Sequence, residues 1–203
     1  MQKEPINVIF IGRSGCGKGT QAEMLQKYLE SRDGAGSCFY VYTGDKFRAL
    51  VKREDIMTAR FLKDKVIDRG VKAPDFLAIW AWGSRFVEEM EPARHVLMDG
   101  SPRTIFEAIL LDDAFGFYER KNIYPIFLDV SPEEVTRRMK LRGRGDDTDP
   151  QIKNRLAFYD EYVVPAVEYY DLKSKNKLIH IDGNSNDREA IHRAILTALG
   201  LNN

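Results

Sequence analysis

The sequence has little of what builds metal centres or disulfide frameworks. Its 203 residues hold two cysteines, Cys16 and Cys38, and three histidines, His95, His180 and His192. The cysteines have neither zinc-ligand spacing nor a partner framework, which fits a chain kept reduced. The scattered histidines are expected at surface or edge positions rather than as ligands or general bases. Charge of one sign is not in excess either. Thirty-one basic residues balance thirty-one acidic ones, so no overall field draws the chain to nucleic acid or an anionic membrane. No apolar run reaches membrane-spanning length, and the opening MQKEPINVIF lacks the apolar core of an export signal. The resulting expectation is a cytoplasmic, monomeric chain with one substantial core. Any anion binding must then come from local clusters of Arg and Lys.

What the sequence does have is alternation. Short apolar runs, INVIFI (6–11), FYVY (39–42), HVLMD (95–99), YPIFLDV (124–130) and KLIHID (177–182), are separated by helix-length segments such as 20–31 and 187–199. Runs apolar at consecutive positions predict strands buried on both faces, hence a parallel sheet covered by helices. Ser131-Pro132-Glu133-Glu134 reads as an N-cap, a proline at N1 and acids in the first turn. The segment 76–90 reads as a buried helix, and 157–170 as one long packed helix kinked at Pro165. The fold expected is α/β, a doubly wound five-stranded parallel sheet with helices on both faces. Two segments stand outside the alternation. Residues 43–73 are charged and helical without a strand, and 141–150 (LRGRGDDTDP) are dense in charge and turn residues.

The stretch GRSGCGKGTQ (12–21) follows the first strand and leads into a helix near Thr20. Its glycines allow backbone N–H groups to turn inward around an anion. The helix adds its positive end, and Lys18 a point charge. This is a phosphate-binding loop of the P-loop kind, with one oddity. Where the pattern G-x-x-x-x-G-K-[ST] puts a hydroxyl for Mg²⁺, the sequence has Gly19.

The longer string G-x-x-G-x-G-K-G-T-Q resembles the nucleoside monophosphate kinases, the adenylate kinase family in particular, in which glycine after the lysine is normal. Further motifs follow in order: Thr43-Gly44-Asp45 with Arg48, Asp99-Gly100-Ser101-Pro102-Arg103, GRGDD (143–147) and the HIDG ending in Gly183. The resemblance spans nearly the whole chain. It implies ATP as donor, with Gly15, Cys16, Gly17, Lys18, Gly19, Thr20, Arg138, Arg142 and Gly183 around it, Arg138 stacking on the adenine. It implies a monophosphate acceptor held by Thr43, Gly44, Arg48, Val71, Ala73, Gly100, Arg103, Glu107, Arg144 and Arg155. Lys18, Asp99, Arg103, Arg142, Arg144 and Arg155 become the catalytic set, and Mg²⁺ is held through water near Asp99 and Asp45. Zinc is not implied. By the same resemblance 43–73 is a flap over the monophosphate, 141–150 a very short lid over ATP, and 1–42, 74–140 and 151–203 the core. Such a set suits phosphoryl transfer, which needs positioning and preorganised positive charge rather than a covalent nucleophile.

The sequence departs from the family on the acceptor side. Ser101 replaces an aromatic, Val71-Lys72-Ala73-Pro74 replaces x-L-V-P, and Glu107 stands where the family has an adenine-reading Gln. A carboxylate suits guanine, which offers two donors, better than adenine, which offers a donor and an acceptor. AMP is the expected acceptor, GMP its alternative, and a catalytically silent nucleotide sensor the alternative outside the enzyme class.

Overall fold

The computed structural model describes residues 4–201. Five parallel strands form one sheet in the order β2-β3-β1-β4-β5. They are β1 (Asn7–Ile11), β2 (Cys38–Tyr42), β3 (His95–Asp99), β4 (Ile123–Asp129) and β5 (Ile179–Asp182). Every residue of β1 and β3 is buried, because successive side chains point to opposite faces and both faces are covered. Val8 and Phe10 pack with Leu25, Leu29, Met139 and Ile195. Ile9 and Ile11 pack with Phe39, Trp82, Phe86, Phe115 and Tyr170.

The helices are α1 (Lys18–Asp33), α2 (Thr43–Leu50), α3 (Met57–Leu62), α4 (Asp75–Glu89), α5 (Ile105–Phe117), α6 (Pro132–Arg142), α7 (Asp149–Phe158), α8 (Val164–Glu168) and α9 (Arg188–Ala198). α6 starts as the sequence suggests, with the Ser131 hydroxyl accepting from Glu134 N–H at 3.2 Å and Pro132 at its head. The parallel register sets Phe10 beside Asp99 and Tyr42 beside Asp99. The C-terminal ends of β1, β2 and β3 therefore meet along one edge of the sheet, where ligands of open α/β sheets bind.

Four local expectations are revised. α1 begins at Lys18, two residues before Thr20. α4 is amphipathic rather than wholly buried, with Phe76, Trp80 and Val87 exposed. Residues 157–170 are not one helix kinked at Pro165. α7 and α8 are joined by a π-helical turn, Tyr159–Val163, and a second, Tyr169–Lys173, follows α8. Pro165, lacking an N–H, sits in the first turn of α8, where a helix requires none. Finally, His95 and His192 are buried rather than at the surface. His95 Nδ1 accepts from the Ile6 N–H at 3.0 Å, while Nε2 lies 2.9 Å from the Asp33 carboxylate. Burial still lowers the His95 pKa, against the opposing pull of Asp33.

Candidate active site

The phosphate loop fills the corner between β1 and α1. Gly15 and Gly17 have φ of +85° and +104°, the conformation that makes an inward-facing nest of amides. A Cβ at position 15 would lie 2.8 Å from Met139 Cγ and 3.0 Å from the Val135 carbonyl, so α6 packs directly against the loop. α1 has no acidic residue in its first turn, leaving its positive end unopposed. Lys18 Nζ donates to the carbonyls of Gly12 and Arg13, 2.8 Å each. Cys16 and Cys38 are both buried free thiols.

Gly19 has a structural reason. A Cβ there would sit 3.2 Å from Asp99 Oδ2, so any side chain at this position would crowd the carboxylate. That carboxylate belongs to a residue 4 % exposed and accepts from the Tyr40 hydroxyl at 3.1 Å. Burial raises the Asp99 pKa, partly offset by Lys18, the Tyr40 bond, Arg103 and Arg144. The hydroxyl missing from the loop is thus matched by an oxygen donor arriving from the end of β3. Asp45, by contrast, is ion-paired with Arg48 on the exposed face of α2.

The acceptor-side motifs converge on the same edge. Thr43 and Ser101, both buried, join their hydroxyls at 2.9 Å, which ties the start of α2 to the loop after β3. Arg103 Nε donates to the Gly100 carbonyl at 2.9 Å, and its guanidinium lies 5.8 Å from the centre of the Phe158 ring. Arg48 lies over the Tyr42 ring at 4.9 Å. Glu107 is 1 % exposed and, among the described residues, is ion-paired with no cation. Its Oε1 accepts only a long 3.4 Å bond from the Arg103 N–H, and Oε2 has no hydrogen-bond partner among those residues.

The short lid is knitted by carboxylates. Asp147, its side chain 1 % exposed, accepts from Arg142 and Arg155 at 2.8 Å. It also takes the Arg144 N–H at 3.3 Å, while Asp146 pairs with Arg155. Arg138 bonds edge-on to Glu134 and to the carbonyls of Cys16, Gly183, Asn184 and Ser185. These bonds fix the guanidinium plane. Arg137 and Arg138 together hold the Glu134 carboxyl down to about 2.

One cavity of about 830 Å³ joins these parts. Gly15 through Thr20, Arg138, Arg142, Arg144 and Arg155 line it. So do Gly44, Asp45, Arg48, Val71, Ala73, Asp99, Gly100 and Arg103, with Asp99 coming up against Gly19. Both lid arginines therefore reach the cavity despite the single residue between them. Thr43, Glu107 and Gly183 stand behind the wall rather than in it. Tyr40, Tyr42, Phe158, Gly70, Ser185 and Asn186 also line it and were not picked out from the sequence. Tyr40 and Tyr42 alternate on one face of β2, which was the available signal.

A glycine-rich anion loop at the head of α1, facing a second cationic wall across a shared cleft, defines a P-loop phosphotransferase. The family model for adenylate kinase matches residues 10–175. The chain is 33 % identical over 197 residues to the adenylate kinase of Mycolicibacterium smegmatis, covering 96 % of this chain and 99 % of that one. It is 32 % identical over 198 residues to the adenylate kinase of Thermus thermophilus, covering 96 % and 97 %. Among solved structures, a gluconokinase from Sinorhizobium meliloti 1021 matches with a TM-score of 0.61 at 16 % identity, over 98 % of this chain and 93 % of that one, a likeness of fold. The chain belongs to the adenylate kinase family, and it is a nucleoside monophosphate kinase.

Proposed function

We propose that the protein moves the γ-phosphoryl group of Mg·ATP reversibly to AMP, giving two ADP. The observation that carries this reading is the single cavity with Lys18 and the phosphate loop on one side and Arg48 and Arg103 on the other. Two polyanions must approach in line, and the loop and the arginine wall neutralise each of them separately. Arg142, Arg144 and Arg155 lie above, where charge spreads over the transferred group, and preorganised cations there lower the barrier rather than merely binding. Glu107, beside the Arg103 N–H, is assigned to the acceptor base. Arg138, lining the cavity and bonded to the Gly183 carbonyl, is assigned to the donor base.

Asp99 is the residue fitted to orient Mg²⁺ through water, being a hard oxygen donor at the loop, and Asp45 is at the rim of the same cavity. Held there, the ion would supply neutralising charge to the donor phosphates. Residues 43–73 serve as the acceptor flap and 141–150 as the lid, excluding water that would otherwise hydrolyse ATP. A cytoplasmic monomer suits the two buried thiols; among the described residues no helix is long and apolar enough to cross a membrane.

The test is coupled turnover with Mg·ATP against AMP, GMP, CMP and UMP. AMP is expected to give the highest kcat/KM, with activity lost on chelation of Mg²⁺. ATP binding without turnover of any acceptor would overturn the reading in favour of a nucleotide sensor.

A further inference from the structure

Among the described residues, Glu107 is a buried carboxyl with an unpartnered oxygen. It lies at the third position of α5, where its N–H is capped by the Thr104 hydroxyl at 3.1 Å. A glutamate there ordinarily turns back to the cap. Here one oxygen makes a marginal contact with the Arg103 N–H and the other makes no hydrogen bond of good geometry among the described residues, the nearby Ser101 hydroxyl being joined to Thr43 at 2.9 Å, although the residue is almost wholly buried. An unpartnered buried oxygen costs stability unless a ligand or a proton satisfies it. The residue beside it points to a ligand. Arg103, whose N–H it contacts, lines the cavity.

We propose that Glu107 meets the acceptor base as a neutral carboxylic acid, so that this chain selects a 6-aminopurine by holding a proton rather than by carrying an amide. The inference rests on the assignment of Glu107 to the acceptor base. A carboxylic acid has the hydrogen-bonding pattern of a glutamine amide, one carbonyl acceptor and one donor. The carbonyl oxygen accepts from the exocyclic 6-amino group, and the O–H donates to the unprotonated ring nitrogen beside it. Ionised, the same side chain is acceptor-only. It repels that ring nitrogen and instead suits a 6-oxopurine, which presents two adjacent N–H donors. The proton comes from solvent and returns to it, and no bond of the nucleotide changes.

The surroundings favour the neutral form. Burial raises the Glu107 pKa, opposed by the Ser101 hydroxyl, the Arg103 guanidinium and the Arg103 N–H, and assisted by the negative charge of Asp75. The facing groups can be counted by element. α4 presents Asp75, itself paired with Lys72 at 2.7 Å. The loop before α5 presents Ser101 and Arg103, whose guanidinium is engaged by the Gly100 carbonyl. The turn 169–173 presents the Tyr170 phenol, which bonds the Ala108 carbonyl at 3.3 Å.

The experiment labels glutamate side-chain carboxyls with ¹³C and follows them by NMR from pH 6 to 9, free and saturated with AMP. Loss of one resonance in Glu107→Gln assigns the signal. With AMP bound, the Glu107 carboxyl is expected to keep its neutral shift at pH 7 and to ionise at higher pH than the same group in the free protein. In turnover, the AMP-over-GMP ratio of kcat/KM should fall with pH in the wild type, approaching about tenfold per unit once the free carboxyl ionises. The ratio should stay flat in Glu107→Gln. An ionised Glu107 in the AMP complex at pH 7 overturns the inference while leaving AMP kinase activity intact. Preference for GMP at pH 7, reversed in Glu107→Gln, overturns it too, with the carboxylate then reading guanine. Absence of AMP turnover would instead defeat the proposed function itself. If Glu107→Gln does not fold, the response of the glutamate resonances to AMP in the wild type decides alone.

Discussion

Gln151 binds two parts of the molecule at once, and its removal is a sharp test of how the site is held. Oε1 accepts from the Thr148 N–H at 3.2 Å and the Thr148 hydroxyl at 2.7 Å, closing the start of α7. Nε2 donates to the carbonyls of Ile67 and Asp68 at 3.3 and 3.0 Å, latching residues 43–73 to the helix that carries Arg155. Gly70, at φ +63°, lets the two segments touch, since a Cβ there would stand 2.8 Å from Gln151 Cα. Gln151→Ala deletes all four bonds from a residue 9 % exposed. At about 0.5–1.5 kcal/mol per bond, and with the freed surface carbonyls recovering water, the loss should be about 2–3 kcal/mol. For a chain of this size that lowers Tm by about 4–12 °C. Gln151→Glu keeps the two acceptor bonds but sets a carboxylate oxygen against the Ile67 and Asp68 carbonyls, so it should lose at least as much as Gln151→Ala. Thermal and urea unfolding of both variants give the comparison. A loss below about 0.5 kcal/mol in Gln151→Ala, or a glutamate variant as stable as the wild type, would refute the two-part role.

Further outcomes follow from the same geometry. Lys18→Met removes the loop's point charge and should cut kcat by at least about a hundredfold in coupled turnover, with Tm little changed. Gly15→Ala drives a Cβ into Met139 and the Val135 carbonyl at a left-handed position, and calorimetry should show ATP affinity reduced at least about tenfold. Asp147 is pushed up by burial but pulled further down by Arg142, Arg155 and the Arg144 N–H, for a net depressed pKa. Its stabilisation of the lid is therefore complete above the ordinary aspartate value and lost as pH falls through the depressed one. Hydrogen exchange over 141–150 should accelerate only in acid, and Asp147→Asn should accelerate it at neutral pH as well.

The sheet was legible because burial on both faces leaves consecutive apolar residues in the inner strands, while the edge strand β5 alternates, with His180 and Asp182 exposed. The loop was legible because positive φ demands glycine and a phosphate demands Lys18. What was hidden depends on partners far apart in the chain. His95 looks like a surface residue until Asp33 and the Ile6 N–H close on it. The exposed stripe of α4 carries Phe76 and Trp80, apolar residues that read as core. Tyr40 matters through its bond to Asp99, a neighbour only because β2 lies beside β3. The π-helical turns leave no mark on hydrophobic periodicity at all. Glu107 was noticed for its chemistry, but its orphaned oxygen required the packing of α5 against α4 and α8.

Those π-helical turns bear on how the chain tolerates the loss of a residue. Tyr159–Val163 is a widened turn that lodges one residue beyond the α-helical count. It lies between Arg155 and Phe158 at the cavity and Ala166 and Tyr170 in the core. Because the extra residue is absorbed inside the turn, the arms on either side keep the faces they would have in an unbroken α-helix. Losing one codon within 159–163 would let the turn tighten to α geometry and leave Arg155 aimed at the cleft. Losing one within 151–154, where no slack is stored, would turn Arg155 by about 100° relative to the Thr148 end of α7. The spare residue is thus slack held in reserve, and it makes neighbouring stretches of one helical arm unequal in what they can lose.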